Sequence, residues 1–305
     1  MSFFQTDEKL KNLGSSILEA TRGEFPQLGK DQIAITWIVY ERSPRKDHSP
    51  ISIGGWSDRA DERIYPASII KLFYLVAYHQ WLEKGMLKTS PELERAVRDM
   101  IVDSSNDATS LVIDALTGTT SGPELPSGPF QTWKYQRNLV NRYFKSLKWP
   151  ELESINVNQK TWCEGPYGRE RAFLGEMFEN RNMLTTEATA RLLHSIISGR
   201  AVSAAASQAM MKLMERSLDR EELKADPENQ VIGFLGEGLP LSARLWSKAG
   251  LTSQVRHDAA YIELPDLHPY LLVVFTEGKV NSQNEEILPF ISQKLLKALN
   301  NFEEF

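Results

Sequence analysis

A serine followed three residues later by a lysine can form a nucleophile if both side chains leave one side of a helix and the lysine is dry enough to lose its proton. Ser68 and Lys71 have that spacing, which on a helix puts two side chains on adjacent turns of one face. Tyr65-Pro66-Ala67 precede them, with Pro66 marking the approach to a helix. Ile69, Ile70, Leu72 and Phe73 surround the lysine with apolar side chains, and desolvation by such neighbours lowers an ammonium pKa toward the range where the amine acts as a base. The spelling alone decides little. Ser43-Pro44-Arg45-Lys46 repeats it, but Pro44 and the polar run after it favour a turn in which serine and lysine share no face. Two more short patterns follow, Ser104-Ser105-Asn106 and Lys248-Ala249-Gly250, and Ser282-Gln283-Asn284 spells the former again. Order and setting must therefore carry the argument. His257 and Asp258 raise a Ser-His-Asp alternative, which strand geometry opposes because adjacent strand residues point to opposite faces.

The elements that hold these residues can be read from periodicity. The N-terminal stretch to Phe25 reads as an amphipathic helix. QIAITWIVYE, Gln32 to Glu41, is rich in β-branched and aromatic residues and suits a strand; turn chemistry and ISIGGWSD then predict a hairpin with a long loop. SIIKLFYLVAYHQWLEKGML, from Ser68, is apolar nearly all round and predicts a buried helix stopped by Gly85. Residues 91 to 117 continue with helical periodicity, 118 to 130 form a loop, and a helix follows to about Leu147. Residues 148 to 182 predict a long irregular excursion of the kind that lies over a site. TTEATARLLHSIISG predicts a helix, ARLWSKAG, VRHDAAYIEL and YLLVVFTEG three strands, and EEILPFISQKLLKALNNF a closing helix. The expected fold is mixed α/β of the α+β kind: an antiparallel sheet of about five strands flanked by terminal helices, with an all-helical sub-domain inserted. The expected division is 1–66 with 230–305 for the sheet and 67–229 for the helices, with the active site between them.

The 305 residues, 41% hydrophobic and 25% charged, can bury a sizeable core. The net charge of -5 comes from interspersed residues and offers no basic stripe to a phosphate backbone, which argues against nucleic acid as a partner. The five histidines form no H-E-x-x-H pattern, and the lone cysteine, Cys163, supports neither a disulfide framework nor a zinc site. It is expected to be a buried spare thiol. No metal or cofactor is implied. No apolar stretch approaches the roughly 20 residues that span a bilayer, and the N-terminus lacks a leader pattern. The expectation is a soluble, cytoplasmic protein with a small-molecule substrate and no membrane partner.

Together the three patterns resemble the S-x-x-K, S-D-N and K-T-G set of class A β-lactamases and penicillin-binding proteins. The similarity spans about residues 32 to 295 and extends to PASIIKLFYLVAYHQWLEKG, DSSNDATSLVIDALTG and SKAGLTSQVRHDAAYI. The resemblance implies that Ser68 attacks a carbonyl and is acylated while Lys71 takes its proton directly or through water. It implies that Ser104 relays a proton to the leaving nitrogen, and that Asn106 bonds Lys71 and the substrate amide. Lys248 would supply positive charge, Gly250 would permit close approach of the strand, and the N–H groups of Ser68 and Leu251 would form the oxyanion hole.

Three departures bear on substrate and turnover. Ser105 stands where the second motif has aspartate, with Asp103 and Asp107 as possible substitutes. Ala249 replaces the hydroxyl that the family turns toward a β-lactam carboxylate, leaving Thr252, Ser253 or Arg256 to recover that contact. LKWPELES invites comparison with the family's Ω-loop but lacks its glutamate between Trp149 and Pro150; Glu151, Glu164 and Glu170 remain as candidate deacylation bases. Trp133, Trp149, Trp162 and Tyr167 are candidates to border a substrate cleft.

Overall fold

The structure, a computed structural model, describes residues 3–45 and 52–300. Lys46, which completes the competing spelling at Ser43, lies outside the described residues, as do the rest of that turn to Ile51 and the outermost residues of both expected terminal helices. The chain forms two units, Met1–Glu62 with Thr186–Phe305, and Arg63–Thr185.

The first unit is built on one fully antiparallel sheet of six strands: β1 Ile33–Tyr40, β2 Ile53–Asp58, β3 Glu215–Arg216, β4 Arg244–Leu251, β5 Val255–Glu263 and β6 Tyr270–Glu277, in the order β2-β1-β6-β5-β4-β3. The strand beyond the expected five is the two-residue β3, too short to leave a periodic signal. β1 lies between β2 and β6, with Trp37 opposite Trp56 on one side and Leu272 on the other. Every β1 residue is buried, because helices cover both sheet faces; that is why the segment reads as a continuous apolar run with only partial alternation. One face carries Ile35, Trp37, Leu245, Ala249, Ile262 and Val274, packed with Leu10 and Ile17 of helix Glu8–Glu24 and Ile291 and Leu295 of helix Ile287–Leu299. Gly14 is needed where the first helix crosses β2, since a Cβ there would fall 2.3 Å from the Trp56 ring. On the other face, helix Thr186–Ile197 bonds the strands through Thr186 Oγ1 to Thr36 Oγ1 (2.9 Å) and His194 Nδ1 to the Tyr40 hydroxyl (3.1 Å). These contacts tie residues 186–229 to the sheet, so the helical insertion ends well before the expected residue 229.

The second unit surrounds helix Lys71–Glu83, which is entered by a 3-10 turn over Ala67–Ile70. Leu72, Phe73, Tyr74, Leu75, Val76 and Ala77 are all buried, as its unbroken apolar sequence requires. Phe73 meets Phe144 edge-on at 5.0 Å, and Trp81 Nε1 donates to Leu116 O (2.9 Å). The expected continuous helix over 91–117 is two helices, Pro91–Ile101 and Asn106–Thr117. The predicted loop over 118–130 ends early, at a helix spanning Ser127–Arg137, and a helix Leu139–Ser146 follows. The excursion holds only a 3-10 turn, Pro150–Leu152, and a short helix, Gly168–Leu174. Reciprocal backbone bonds of Ile64 and Leu184 (2.8 and 2.9 Å) close the unit where it begins and ends.

The irregular excursion is held by buried polar groups in place of a ladder. Asn182 Oδ1 accepts from the N–H groups of Asn158 and Gln159, both at 3.0 Å, and Asn141 Oδ1 from Val157 N (2.6 Å). Further along, Arg137 grips Glu170 with two bonds, Nη2 to Oε1 (2.7 Å) and Nη1 to Oε2 (3.0 Å). Lys160 Nζ reaches Asp114 Oδ2 (2.7 Å) and Ser121 Oγ (2.8 Å), and the Ser121 hydroxyl donates to Glu170 (2.9 Å). Buried polar networks of this kind can specify one conformation where the backbone has no regular partner.

Candidate active site

Ser68 sits partly exposed in the 3-10 turn, between buried Ala67 and Ile69. With about three residues per turn, side chains three apart eclipse one another in a 3-10 helix, closer to one face than in an α-helix. The turn therefore aligns Ser68 with Lys71, the first residue of the α-helix that follows.

Lys71 is fully buried. Its Nζ donates to Ser104 O (2.6 Å), Asn106 Oδ1 (2.8 Å) and Ser104 Oγ (3.3 Å), so the first and second motifs meet at this atom. Burial lowers its pKa from the usual 10.5 to about 7, against a smaller upward pull from the charge of Cys163. The amine is thereby poised to exchange a proton near neutrality, with its position set by neutral acceptors.

The second motif lies in the break between two helices, where Ser104 adopts a left-handed backbone (φ 53°) that brings both its carbonyl and hydroxyl to Lys71. Ala67, immediately before the nucleophile, is likewise left-handed (φ 47°). Such conformations cost non-glycine residues on the order of 1 kcal/mol and concentrate at active sites. Ser105 solves the problem raised by the missing aspartate: its Oγ accepts from Ala108 N (3.1 Å) as the N-cap of helix Asn106–Thr117. Serine and aspartate are comparable caps, so the turn keeps its organising oxygen. Asp103 instead pairs with exposed Arg98.

The excursion contributes Cys163, which is exposed and not buried as expected, and whose Sγ accepts from Asn106 Nδ2 (3.3 Å). Sequence reasoning missed this residue because a lone cysteine carries no pattern and is usually core. Of the candidate deacylation bases, Glu170 is buried in its pairing with Arg137, Glu164 is exposed beside Cys163, and Glu151 lies in the 3-10 turn Pro150–Leu152. Among the expected cleft aromatics, Trp133 is core, bonding Thr120 O (3.0 Å) and stacking on Phe130, while Tyr167 is exposed.

The third motif is on β4 of the sheet unit. Lys248 is fully buried; its Nζ donates to Gln230 Oε1 (2.5 Å) and to Ala249 O (2.9 Å), and the same Gln230 oxygen accepts from Ala249 N (3.1 Å). Gln230, at 6% exposure, is a second residue with no sequence signal. Gly250 is buried and Leu251, at the strand end, is half exposed. Ala249 faces the sheet's apolar core. Arg256 does not present its guanidinium as the sequence suggested: it donates to Ser282 O (2.9 Å), Gly233 O (3.1 Å) and Glu285 Oε1 (3.3 Å), and is buried over Phe234. Across β5, His257 stacks on Phe275 and accepts from Thr276 N (3.1 Å), while Asp258 accepts from Leu235 N (3.1 Å), so both serve the sheet and not a triad. Burial raises the Asp258 carboxyl to about 7. Among the described residues no cluster of three or more His, Cys, Asp or Glu is placed to hold a metal, and no helix is long and apolar enough to cross a membrane.

A family model described as the β-lactamase enzyme family matches residues 87–299, which include the second and third motifs; the first lies just before them. No curated protein matches the chain. Among solved structures, a β-lactamase from Sphaerobacter thermophilus aligns over 95% of this chain and 99% of its own at 18% identity, with a TM-score of 0.64. PBP-A, in a mutant form captured as an acyl-enzyme with penicillin G, aligns over 98% of both chains at 17% identity and a TM-score of 0.66. A β-lactamase from Chitinophaga pinensis covers 94% of this chain and 99% of its own at 16% identity, with a TM-score of 0.64. At these identities the likeness establishes the fold.

Proposed function

Because the chain belongs to the β-lactamase enzyme family, we propose that it is a serine hydrolase working through an acyl-enzyme on Ser68, with a β-lactam amide as the leading substrate. The observation that carries the reading is Lys71: a buried amine with a pKa near 7, bonded to Ser104 and Asn106 and one 3-10 turn from Ser68. In the proposed step the Ser68 hydroxyl oxygen bonds the substrate carbonyl carbon while its proton passes to Lys71. The tetrahedral oxyanion is met by backbone N–H groups, that of Ser68 among them. The bond to the leaving nitrogen or oxygen then breaks, and that atom takes the proton through Ser104. Water next attacks the acyl carbonyl, releasing the acid and restoring Ser68. Lys248, Gly250 and Leu251 carry the substrate-binding roles expected of the third motif.

A second reading, an acylating protein that releases its product slowly, is supported by one feature: Glu170 is spent on Arg137, leaving exposed Glu164 and Glu151 as the remaining candidates to activate a water. Intact-mass measurement with a β-lactam and with a fluorophosphonate distinguishes the two. An adduct lost within the turnover time supports the hydrolase and a persistent adduct the trap. An adduct that survives in Ser68→Ala would overturn both.

A further inference from the structure

We infer that Cys163 is a positioning residue for acylation: its sulfur fixes which way the Asn106 carboxamide faces, and the loop that carries it, residues 161–169, is closed at its base by the hydroxyl of Ser121. The inference rests on the acyl-enzyme reading and concerns residues of the second unit alone. An asparagine side chain has an oxygen that accepts and a nitrogen that donates. Lys71 Nζ donates to the oxygen at 2.8 Å, so the nitrogen faces away from it, and there Nδ2 donates to Cys163 Sγ at 3.3 Å. Turned over, the carboxamide would set its own N–H groups against Lys71 and withdraw an acceptor from the base. A thiol is a weak acceptor, so the contact depends on the sulfur being held in place.

A clasp supplies that hold. Lys160 Nζ donates to Asp114 Oδ2 (2.7 Å) and Ser121 Oγ (2.8 Å), and the same Ser121 hydroxyl donates to Glu170 Oε1 (2.9 Å), so one oxygen joins the two residues that flank the loop. Beside it Arg169 donates to Gly122 O through its backbone N–H (3.1 Å) and to Pro123 O through Nε (2.9 Å). Gly168, left-handed at φ 51°, lies so close that a Cβ would fall 2.2 Å from Gly122 O. Asp114 and Asn106 stand eight residues apart on helix Asn106–Thr117, roughly 12 Å along its axis. The segment from Lys160 to Cys163 therefore runs along this helix, from Asp114 near its end to Asn106 at its start. The element that carries Asn106 thus also sets where the sulfur meets it.

The test measures the rate at which a fluorophosphonate labels Ser68, by intact mass on the full chain with Ser68→Ala as the blank. Cys163→Ala, which removes the acceptor, should slow labelling about three- to tenfold. Cys163→Ser, whose hydroxyl accepts the same N–H, should return it to within about twofold of wild type, a rescue that a loss of packing alone would not show. Ser121→Ala should slow labelling by at least about twofold, and by no further factor once Cys163→Ala is present, because both changes act on one contact. Equal rates for wild type and Cys163→Ala, a serine variant no faster than the alanine one, or a Ser121→Ala effect that is absent or multiplies in full with that of Cys163→Ala would overturn the inference while leaving acylation of Ser68 intact. Absence of Ser68-dependent labelling in the wild type would instead overturn the acyl-enzyme reading and this inference with it.

Discussion

If Lys71 is the base for Ser68, the rate of acylation must follow the neutral fraction of one buried amine. Held near 7 instead of the usual 10.5, Lys71 is neutral in roughly half the molecules at pH 7, where an ordinary lysine would be neutral in about one in three thousand. Below that point the neutral fraction falls tenfold for each pH unit, so acylation at pH 5 should be about a hundredfold slower than on the plateau above pH 8. Pseudo-first-order labelling by a fluorophosphonate, followed by intact mass across this range, reads the profile without interference from deacylation. The same perturbation reaches stability. With its folded pKa depressed, Lys71 holds fewer protons in the folded than in the unfolded chain between about pH 7 and 10.5. Folding stability relative to Lys71→Met should therefore rise across that window, by at most roughly 5 kcal/mol. A labelling rate flat from pH 5 to 8, or an inflection above about pH 9, would refute the assignment of Lys71 as the base.

Three other outcomes are expected. Ser105→Ala should cost about 1 kcal/mol in a denaturation midpoint and slow acylation by loosening Ser104 and Asn106, while Ser105→Asp keeps both near wild type; equal behaviour of the two variants would remove the capping argument. Glu170→Gln leaves the fully buried Arg137 guanidinium without its bidentate carboxylate and should cost about 3 kcal/mol or more by urea unfolding, and a loss within experimental error would show that the cluster does not hold the excursion. Iodoacetamide should slow acylation by placing a bulky group on the Cys163 sulfur beside Asn106, with Cys163→Ser protected; alkylation that leaves the rate unchanged would place the thiol away from the working site.

Residues whose neighbours are set by periodicity were readable from the chain alone. β1, β4, β5 and β6 stand where alternation and β-branched content put them, and the apolar run from Ser68 is the buried helix it promised. What could not be read depends on single backbone angles or on partners distant in sequence. Residues 91 to 117 read as one helical stretch, yet the left-handed Ser104 splits it into two helices, and serine does not advertise that conformation. The helix over Ser127–Arg137 begins in a Gly- and Pro-rich run that reads as loop. The pattern of Thr186–Ile197 announces a helix but not which layer it joins; that is settled by Thr36 and Tyr40, about 150 residues earlier. Gln230 and Cys163 belong to no motif, and only the fold brings them to Lys248 and Asn106. Arg256 is the opposite case, a residue whose type suggested ligand binding and whose surroundings commit it to the scaffold.

The strand order also has a consequence for how the protein is made. β1 reads IAITWIVY, with no charge, proline or glycine, and it lies between β2 and β6. β2 is synthesised soon after it, but β6 follows roughly 230 residues later, a delay of roughly 10–50 s at ordinary elongation rates. Through that interval an apolar strand with one open edge must be kept from pairing with its copies on other nascent chains. Ribosome-associated chaperone capacity should therefore weigh more heavily on yield than the stability of the finished sheet, and products truncated before Tyr270 should accumulate as aggregates.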